Sequence, residues 1–380
     1  MPRSPLEAHK RLVDALRITR PFGYPVLRVE TIETHISTVL LAGEYAYKIK
    51  KPVDLGFADF STLGKRWQCC EDEIRLNRRT ASQLYVGVVP ITGSLDRPVI
   101  GGQGVPIEYA VKMRRFAPES TLDVLAQEGK LTPDAIEALA RKVAAFHGSI
   151  PVAAPADGHG SLVQVREAAL DNFRQSRNHV TDPASLDVLE RLQTWPEAQS
   201  RRVAPTLEER QRRGFVRECH GDLHLANVAW IDGEPVPFDC IEFSASLRWI
   251  HVMSGVAFTT MDLLAHGERG LAFRYLNTYL EDTGDYSGVA VLRFYLVYRA
   301  MVRAKIAAIQ KRSLDFERYL RLADALAGQA NPALVITCGL SGSGKTTFAR
   351  SLAGRIGAVH VRSDVERKRL HGIVSRIRAR

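Results

Sequence analysis

The sequence is poor in the features that would set it apart from ordinary globular proteins. Its five cysteines, Cys69, Cys70, Cys219, Cys240 and Cys338, are odd in number and lack CxxC spacing, which argues against both a disulfide framework and a cysteine-based zinc site. Adjacent Cys69 and Cys70 fit a helix core better than a redox pair. No basic-then-apolar leader opens the chain, and no apolar run approaches the roughly 18 residues of a membrane span. A cytoplasmic protein with no membrane partner is therefore expected. Repeats and low-complexity tracts are missing too. What remains, 45% apolar and 25% charged residues in 380, has room for one large domain or two ordinary ones with ample core.

Acidic residues are outnumbered, giving a net charge of +10, but the excess is uneven. Residues 331–380 carry ten Lys and Arg against Asp364 and Glu366, about +8 of that total. The remaining 330 residues are close to neutral, so the charge gives no argument that the main part of the chain binds nucleic acid.

Against this background one stretch stands out, His220-Gly221-Asp222-Leu223-His224-Leu225-Ala226-Asn227, with Phe238-Asp239 following. An aspartate five residues before an asparagine has the spacing of a phosphoryl-transfer loop, in which the Asp meets the acceptor hydroxyl and the Asn helps hold Mg²⁺. A second metal carboxylate is then needed. Residues 228–231 and 235–238 flank Asp232-Gly233, a strong hairpin signal, and folding that hairpin is expected to bring Asp239 back beside Asn227. Three oxygen-bearing groups would then serve one hard cation.

Upstream, residues 1–20 read as a helix, and 25–29, 38–41 and 46–49 as strands. The turn Glu33-Thr34-His35-Ile36-Ser37 could place backbone N–H groups over phosphates, although a plain hairpin turn satisfies the same residues. Tyr47-Lys48-Ile49-Lys50-Lys51 ends the third strand. Alternation puts Lys48 and Lys50 on one face, so periodicity does not choose between them as a phosphate lysine. A helix over 67–84 follows, whose Glu71 and Glu73 could each reach such a lysine. Strands at 86–91, 98–100 and 108–113 complete a small sheet, with a hinge at about 110–117. Beyond it, helical patterns cover 131–147, 162–179, 183–194, 207–214, 248–265, 271–280, 289–310 and 315–327. Strands before helices predict a two-lobed α+β body over 1–328, with lobes of about 20–115 and 116–328 and a cleft between them.

After a linker at 328–332, Ala333–Cys338 reads as a strand, and Gly339-Leu340-Ser341-Gly342-Ser343-Gly344-Lys345-Thr346-Thr347 matches the P-loop spacing in full, with a helix over 348–356 behind it. Loop N–H groups, at Gly339, Gly342 and Gly344 among others, would cradle phosphates. Lys345 would reach the β- and γ-phosphates, and Thr346, with Thr347 beside it, would face nucleotide and Mg²⁺. Residues 359–364 read as a second strand. About 50 residues is short for a doubly wound domain of roughly 150, so this incomplete α/β segment is expected to bind nucleotide without catalysis of its own.

HGDLHLAN and FDCIEF resemble the aminoglycoside phosphotransferase-like small-molecule kinases, which share the bilobal fold of protein kinases. THISTVLLAGEYAYKIKKPVDLGFADFSTL, CCEDEIRLNRR, YAVKMRRF and FDCIEFSASLRWI, followed by a P-loop, are similar to the bacterial bifunctional aminoglycoside phosphotransferase/ATP-binding proteins. The resemblance covers nearly the whole chain. It implies Asp222 as catalytic carboxylate, Asn227 and Asp239 as Mg²⁺ ligands, Lys48 as the phosphate lysine and Glu73 as the residue orienting it. It also implies that the backbone of residues 108–112 lies against adenine, and that His220 and His224 are structural. ATP (or GTP) and Mg²⁺ are the implied cofactors. Two positions depart from the pattern, His251 and Gly255, where aspartates are usual; their loss is expected to weaken the bracing of the catalytic loop. The P-loop domain is also shorter than the family's.

The leading expectation is thus an ATP- and Mg²⁺-dependent phosphotransferase acting on a hydroxyl of a small molecule. The alternative is a non-catalytic, pseudokinase-like nucleotide binder with a vestigial P-loop. A basic RNA-binding appendage at 331–380 rests on charge alone, and a protein kinase is disfavoured by HGD in place of HRD and by the lack of DFG and APE. Neither the acceptor nor the oligomeric state can be read from these residues.

Overall fold

The computed structural model describes residues 4–56, 58–328, 332–340 and 342–372, and the chain divides into two units, residues 1–120 with 236–248, and 121–235 with 249–380. The greater part of the expected linker, Ser341 and the Arg-rich end at 376–380 lie outside the described residues.

The first unit is built on six short strands, β1 (Val29–Glu33), β2 (Ser37–Ala42), β3 (Tyr45–Lys50), β4 (Tyr85–Gly93), β5 (Pro98–Ile100) and β6 (Glu108–Arg114). They form one antiparallel sheet in the order β1-β2-β3-β6-β4-β5. The first strand starts four residues later than 25–29, because Pro25 brings no N–H to a ladder and Val29 is the first residue to pair, with Ala42. Helix α1 (Pro5–Thr19) opens at Ser4, whose hydroxyl accepts from Glu7 N at 3.2 Å, and Pro5 occupies the first helical turn. Its Leu12, Val13 and Leu16 recur at helical spacing and join the sheet's Leu40, Tyr47, Ile49 and Ala110 in one core, each such side chain contributing about 2 kcal/mol by leaving water. Helix α2 (Leu63–Ala81) follows β3 and is capped by Thr62. Its buried stripe is unusual in holding Glu73 and Asn77 beside Cys69, Cys70 and Leu76.

The second unit is helical. It begins with α3 (Leu122–Gln127), α4 (Pro133–Ser149), α5 (Leu162–Arg177), α6 (Pro183–Gln193) and α7 (Trp195–Arg212). Helix α7 starts twelve residues before the expected 207–214 because it runs through Pro205. A proline inside a helix forfeits one hydrogen bond and costs about 3 kcal/mol, here offset by the burial of Val203, Leu207 and Arg210. Strand β7 (Val216–Glu218) leads into the 220–227 loop, then β8 (Val228–Ile231) and β9 (Glu234–Pro237) pair around Asp232-Gly233, both at positive φ, as the hairpin signal predicts. After the short α8 (Ala245–Arg248), which counts with the first unit, β10 (Trp249–His251) pairs with β7, and the helices α9 (Val252–Ala265), α10 (Arg269–Thr283), α11 (Val289–Ile309) and α12 (Ser313–Ala327) bury a large apolar core with α4 and α5. Among the described residues, no helix is long and apolar enough to cross a membrane.

The last segment departs from expectation. Helix α13 (Lys345–Ile356) forms, but residues 332–340 are irregular and exposed, and 358–362 are irregular up to α14 (Ser363–Leu370). Neither expected strand exists, because a strand is held by ladder bonds to a neighbour, and no strand among the described residues pairs with either stretch.

Candidate active site

Strand β3 lies between β2 and β6, with Lys48 opposite Val39 on one side and Val111 on the other. Lys48 and Lys50 share a face, and both reach Glu73 on α2. Lys48 Nζ donates to Glu73 Oε1 at 2.9 Å, while Lys50 Nζ donates to Oε2 of the same carboxylate. Glu71 is exposed. The two lysines then diverge. Lys48 continues to Asp239 Oδ1 at 2.5 Å, whereas Lys50 continues to Glu242. Asp239's side chain is 44% exposed, while Lys50 and Glu73 have no exposed surface. Burial alone would strip the proton from either lysine, but Asp239, Glu73 and Glu242 outweigh it and push the Lys48 ammonium well above its ordinary range. Burial raises Glu242 against the pull of Lys50.

Asp239 sits at φ 60°, a left-handed conformation that costs a non-glycine residue about 1 kcal/mol. It is held there by its neighbours. The Asp239 N–H donates to the Tyr85 hydroxyl at 3.1 Å, and the Cys240 N–H to Asn77 Oδ1 at 2.8 Å. Asn77 Nδ2 donates in turn to the Glu73 carbonyl at 2.9 Å, so the turn that aims Asp239 is fastened to the helix that carries Glu73. Sequence reasoning assigned no role to Glu242, although it lies three residues past Asp239 within the FDCIEF stretch.

One expectation around this cluster changes, and the plain-turn reading of 33–37 stands. The backbone of residues 110–112 is not open to adenine, since β6 pairs there with β3 on one edge and β4 on the other, while Glu108 and Tyr109 pair with β4 alone. Both ladders consume its N–H and C=O groups; the first residue past the strand is Arg115. The 33–37 turn is a plain hairpin turn. The Thr34 N–H donates to the Ser37 carbonyl and the Ser37 N–H to Thr34 Oγ1, each at 2.9 Å, which occupies two of its donors.

In the second unit, Asp222 and Asn227 come together. Asn227 Nδ2 donates to the Asp222 carbonyl at 2.9 Å and to Oδ2 at 3.1 Å, and His224 Nε2 lies 3.3 Å from the same oxygen. Gly221, at φ 87°, provides the sharp turn before Asp222. Burial would raise the Asp222 carboxyl, but His224, Arg303 and His220 hold it well below the usual carboxylate range. Its side chain is 35% exposed.

The loop's braces come from residues that sequence reasoning did not single out. Asp262 accepts from Leu225 N at 2.9 Å and from the Tyr319 hydroxyl at 2.7 Å. Thr259 Oγ1 donates to the Leu223 carbonyl at 2.8 Å, and Arg299 to the Gly221 carbonyl at 3.1 Å. The available signal was a lone carboxylate in the apolar helix α9 and arginines within the apolar helix α11, since buried charges require partners. His251 turns instead to the Gly160 carbonyl at 2.9 Å, and a Cβ at Gly255 would lie 3.5 Å from the His147 ring. The 220–227 loop is held by Asp262, Thr259 and Arg299, and neither of these two positions takes part in that hold.

The P-loop closes on itself. Lys345 Nζ donates to the carbonyls of Gly339, at 2.8 Å, and Leu340, while Gly339, Gly342 and Gly344 all take positive φ. Thr346 and Thr347 are exposed in the first turn of α13. Thr346 faces a cleft of about 1120 Å³ whose other wall includes Glu137 and Arg141 of α4 and Arg274 of α10. Helix α10 grips the segment after α13 through Asn277, which donates to the Ala358 carbonyl at 3.0 Å and accepts from His360 N at 2.7 Å.

A family model described as an AAA domain matches residues 334–379. The chain shares the fold of choline kinase from Cryptosporidium parvum Iowa II, with TM-score 0.51 and 10% identity over 84% of this chain and 96% of that one. A choline/ethanolamine kinase family protein from Mesorhizobium loti superposes with TM-score 0.47 and 13% identity, covering 91% and 98% of the two chains. For aminoglycoside phosphotransferase APH(4)-Ia the values are 0.45 and 14%, covering 84% and 98%. In sequence, the chain is 31% identical over 348 residues to "Uncharacterized protein Rv2004c" of Mycobacterium tuberculosis and to "Uncharacterized protein Mb2027c" of Mycobacterium bovis, spanning 90% of this chain and 68% of each relative. The chain therefore belongs to the family of these mycobacterial proteins, shares the fold of that choline kinase over most of its length, and carries a C-terminal segment that matches the AAA domain model.

Proposed function

We propose that this protein transfers the γ-phosphoryl group of ATP to a hydroxyl of a small molecule. The observation that carries the reading is Lys48, a buried ammonium fixed by Glu73 on one side and bound on the other to Asp239, a half-exposed carboxylate. This arrangement holds a cation where phosphates can replace Asp239 as its partner. Lys50 is enclosed by Glu73 and Glu242 and has no such outlet, which favours Lys48 as the phosphate lysine.

Mg²⁺, when bound, would offset the negative charge that develops on the phosphates. Asp239 and Asn227 would hold it, since Asn227 spends its amide N–H on Asp222 and so leaves Oδ1 as its acceptor. Among the described residues no group of three or more His, Cys, Asp or Glu side chains is placed to hold a metal ion by itself. One carboxylate and one amide suit Mg²⁺, which takes further oxygens from phosphate and water. Asp222, kept ionised by His224 and Arg303, would align the acceptor hydroxyl and accept its proton as the O–P bond forms. The P-loop would be a second nucleotide site, with Lys345 on phosphate and Thr346 toward Mg²⁺. A cytoplasmic setting, where ATP is supplied, fits both sites. The firm bracing of the 220–227 loop by Asp262, Thr259 and Arg299 speaks against the non-catalytic alternative.

The test is Asp222→Asn. In a metabolite screen, acceptor-dependent ATP consumption should fall by about 10²–10⁴ while Mg·ATP binding by calorimetry persists. Consumption that survives the substitution would sink the reading.

A further inference from the structure

Phosphate binding requires one lysine on β3, yet the strand buries two. Lys50 has no exposed surface, and its ammonium is divided between Glu73 Oε2 and Glu242 Oε1. Enclosing a lysine and two carboxylates is costly unless every charge is met. Here the charges are met in a way that links them: Glu73 gives one oxygen to each lysine, so it cannot swing toward Lys48 without releasing Lys50. Glu242 lies three residues after Asp239, and the turn between them is fastened by Tyr85 and Asn77. Asp239 also accepts from Lys48, the group that turns to phosphate when nucleotide binds. A hold that survives that exchange has to come from a residue that never meets the ligand.

We propose that the buried Lys50–Glu242 ion pair is a strut that positions Glu73 and Asp239 together, setting the phosphate lysine and the metal carboxylate in one network. The proposal rests on the phosphotransferase reading above. Lys50 and Glu242 are positioning residues, acting through Glu73 and through the 239–242 turn.

The test uses the full chain carrying Lys345→Met, so that one nucleotide site is measured. ATP affinity is compared by calorimetry in EDTA and in Mg²⁺, and Mn²⁺ affinity by electron paramagnetic resonance in the presence of ATP. Lys50→Met/Glu242→Leu removes both charges and leaves Glu73 paired with Lys48 through Oε1, although Oε2 loses its donor; thermal unfolding checks that it folds. It should keep metal-free ATP affinity close to that of the parent and lose about 10- to 100-fold in metal affinity, the scale for residues that orient a ligand. Glu242→Gln, which can still hydrogen-bond Lys50, should fall between the two and carries the test if the double variant does not fold. Unchanged metal affinity in a folded double variant, or in Glu242→Gln where it stands alone, overturns the strut. Unchanged metal affinity in Asp239→Asn overturns the phosphotransferase assignment itself, and the strut with it.

Discussion

Two lysines in this chain are candidates to meet phosphate, and they are held in opposite ways. Lys48 is buried on a central strand, its charge fixed by carboxylates that come from residues 25 and 191 positions away along the chain. Lys345 is half-exposed and folds onto carbonyls five and six residues before it. The first is preorganised by tertiary structure, and the second by its own loop. A local motif can form its turn and its helix unaided, but it cannot supply the neighbouring strands that a P-loop strand requires. This is why α13 is present while 332–340 is irregular.

The sharpest way to break the comparison is to remove each lysine in turn. Lys48→Met should lower transfer by about 10²–10³, the scale of losing one preorganised charge at a developing anion. Lys345→Met should leave transfer close to wild type and abolish a separate nucleotide-binding event seen by calorimetry. Equal losses in both variants would mean that the two regions serve one reaction.

Acid provides a second contrast. His9 in the first unit, and His147 and His251 in the second, are neutral when folded, pushed down to about 4, about 3 and about 4 chiefly by burial. Unfolded, each titrates near about 6.5. Below that pH the unfolded chain takes up protons that the folded chain refuses, so stability falls as pH drops through the window from 6.5 toward 4. The loss is up to about 1.4 kcal/mol per pH unit for each histidine. Hydrogen exchange at pH 5 against pH 7 should therefore show more loosening in the second unit, which carries two of the three. Equal loosening of the units would count against this.

The smallest effect is local. Asn277→Ala removes both hydrogen bonds that α10 makes to residues 358 and 360, at a cost of about 1–3 kcal/mol. Exchange in 345–370 should quicken while the main unfolding transition stays in place. Unchanged exchange there would show that the segment is held by other contacts.

How much of this was legible in the sequence depends on the range of the cause. The β8–β9 hairpin followed from Asp232-Gly233, because turn chemistry acts over a few residues. The strand face holding Lys48 and Lys50 followed from alternation. Pattern could not show that Glu73 would serve both lysines, that Asp262 would brace the 220–227 loop from α9, or that both edges of β6 would be occupied. Each of these depends on what packs against a residue from far along the chain. The start of α7 was misplaced for the same reason, since burial of one face outweighed Pro205.

By itself, then, the sequence determined the β8–β9 turn, the Asp222–Asn227 spacing and the P-loop turn, all set by neighbouring residues. Tertiary structure alone decided which lysine is enclosed and which keeps a half-exposed partner, how Asp239 is held at positive φ, and where a strand-like run stays unpaired. Those outcomes rest on burial and on strand and charge pairing, which local sequence does not contain.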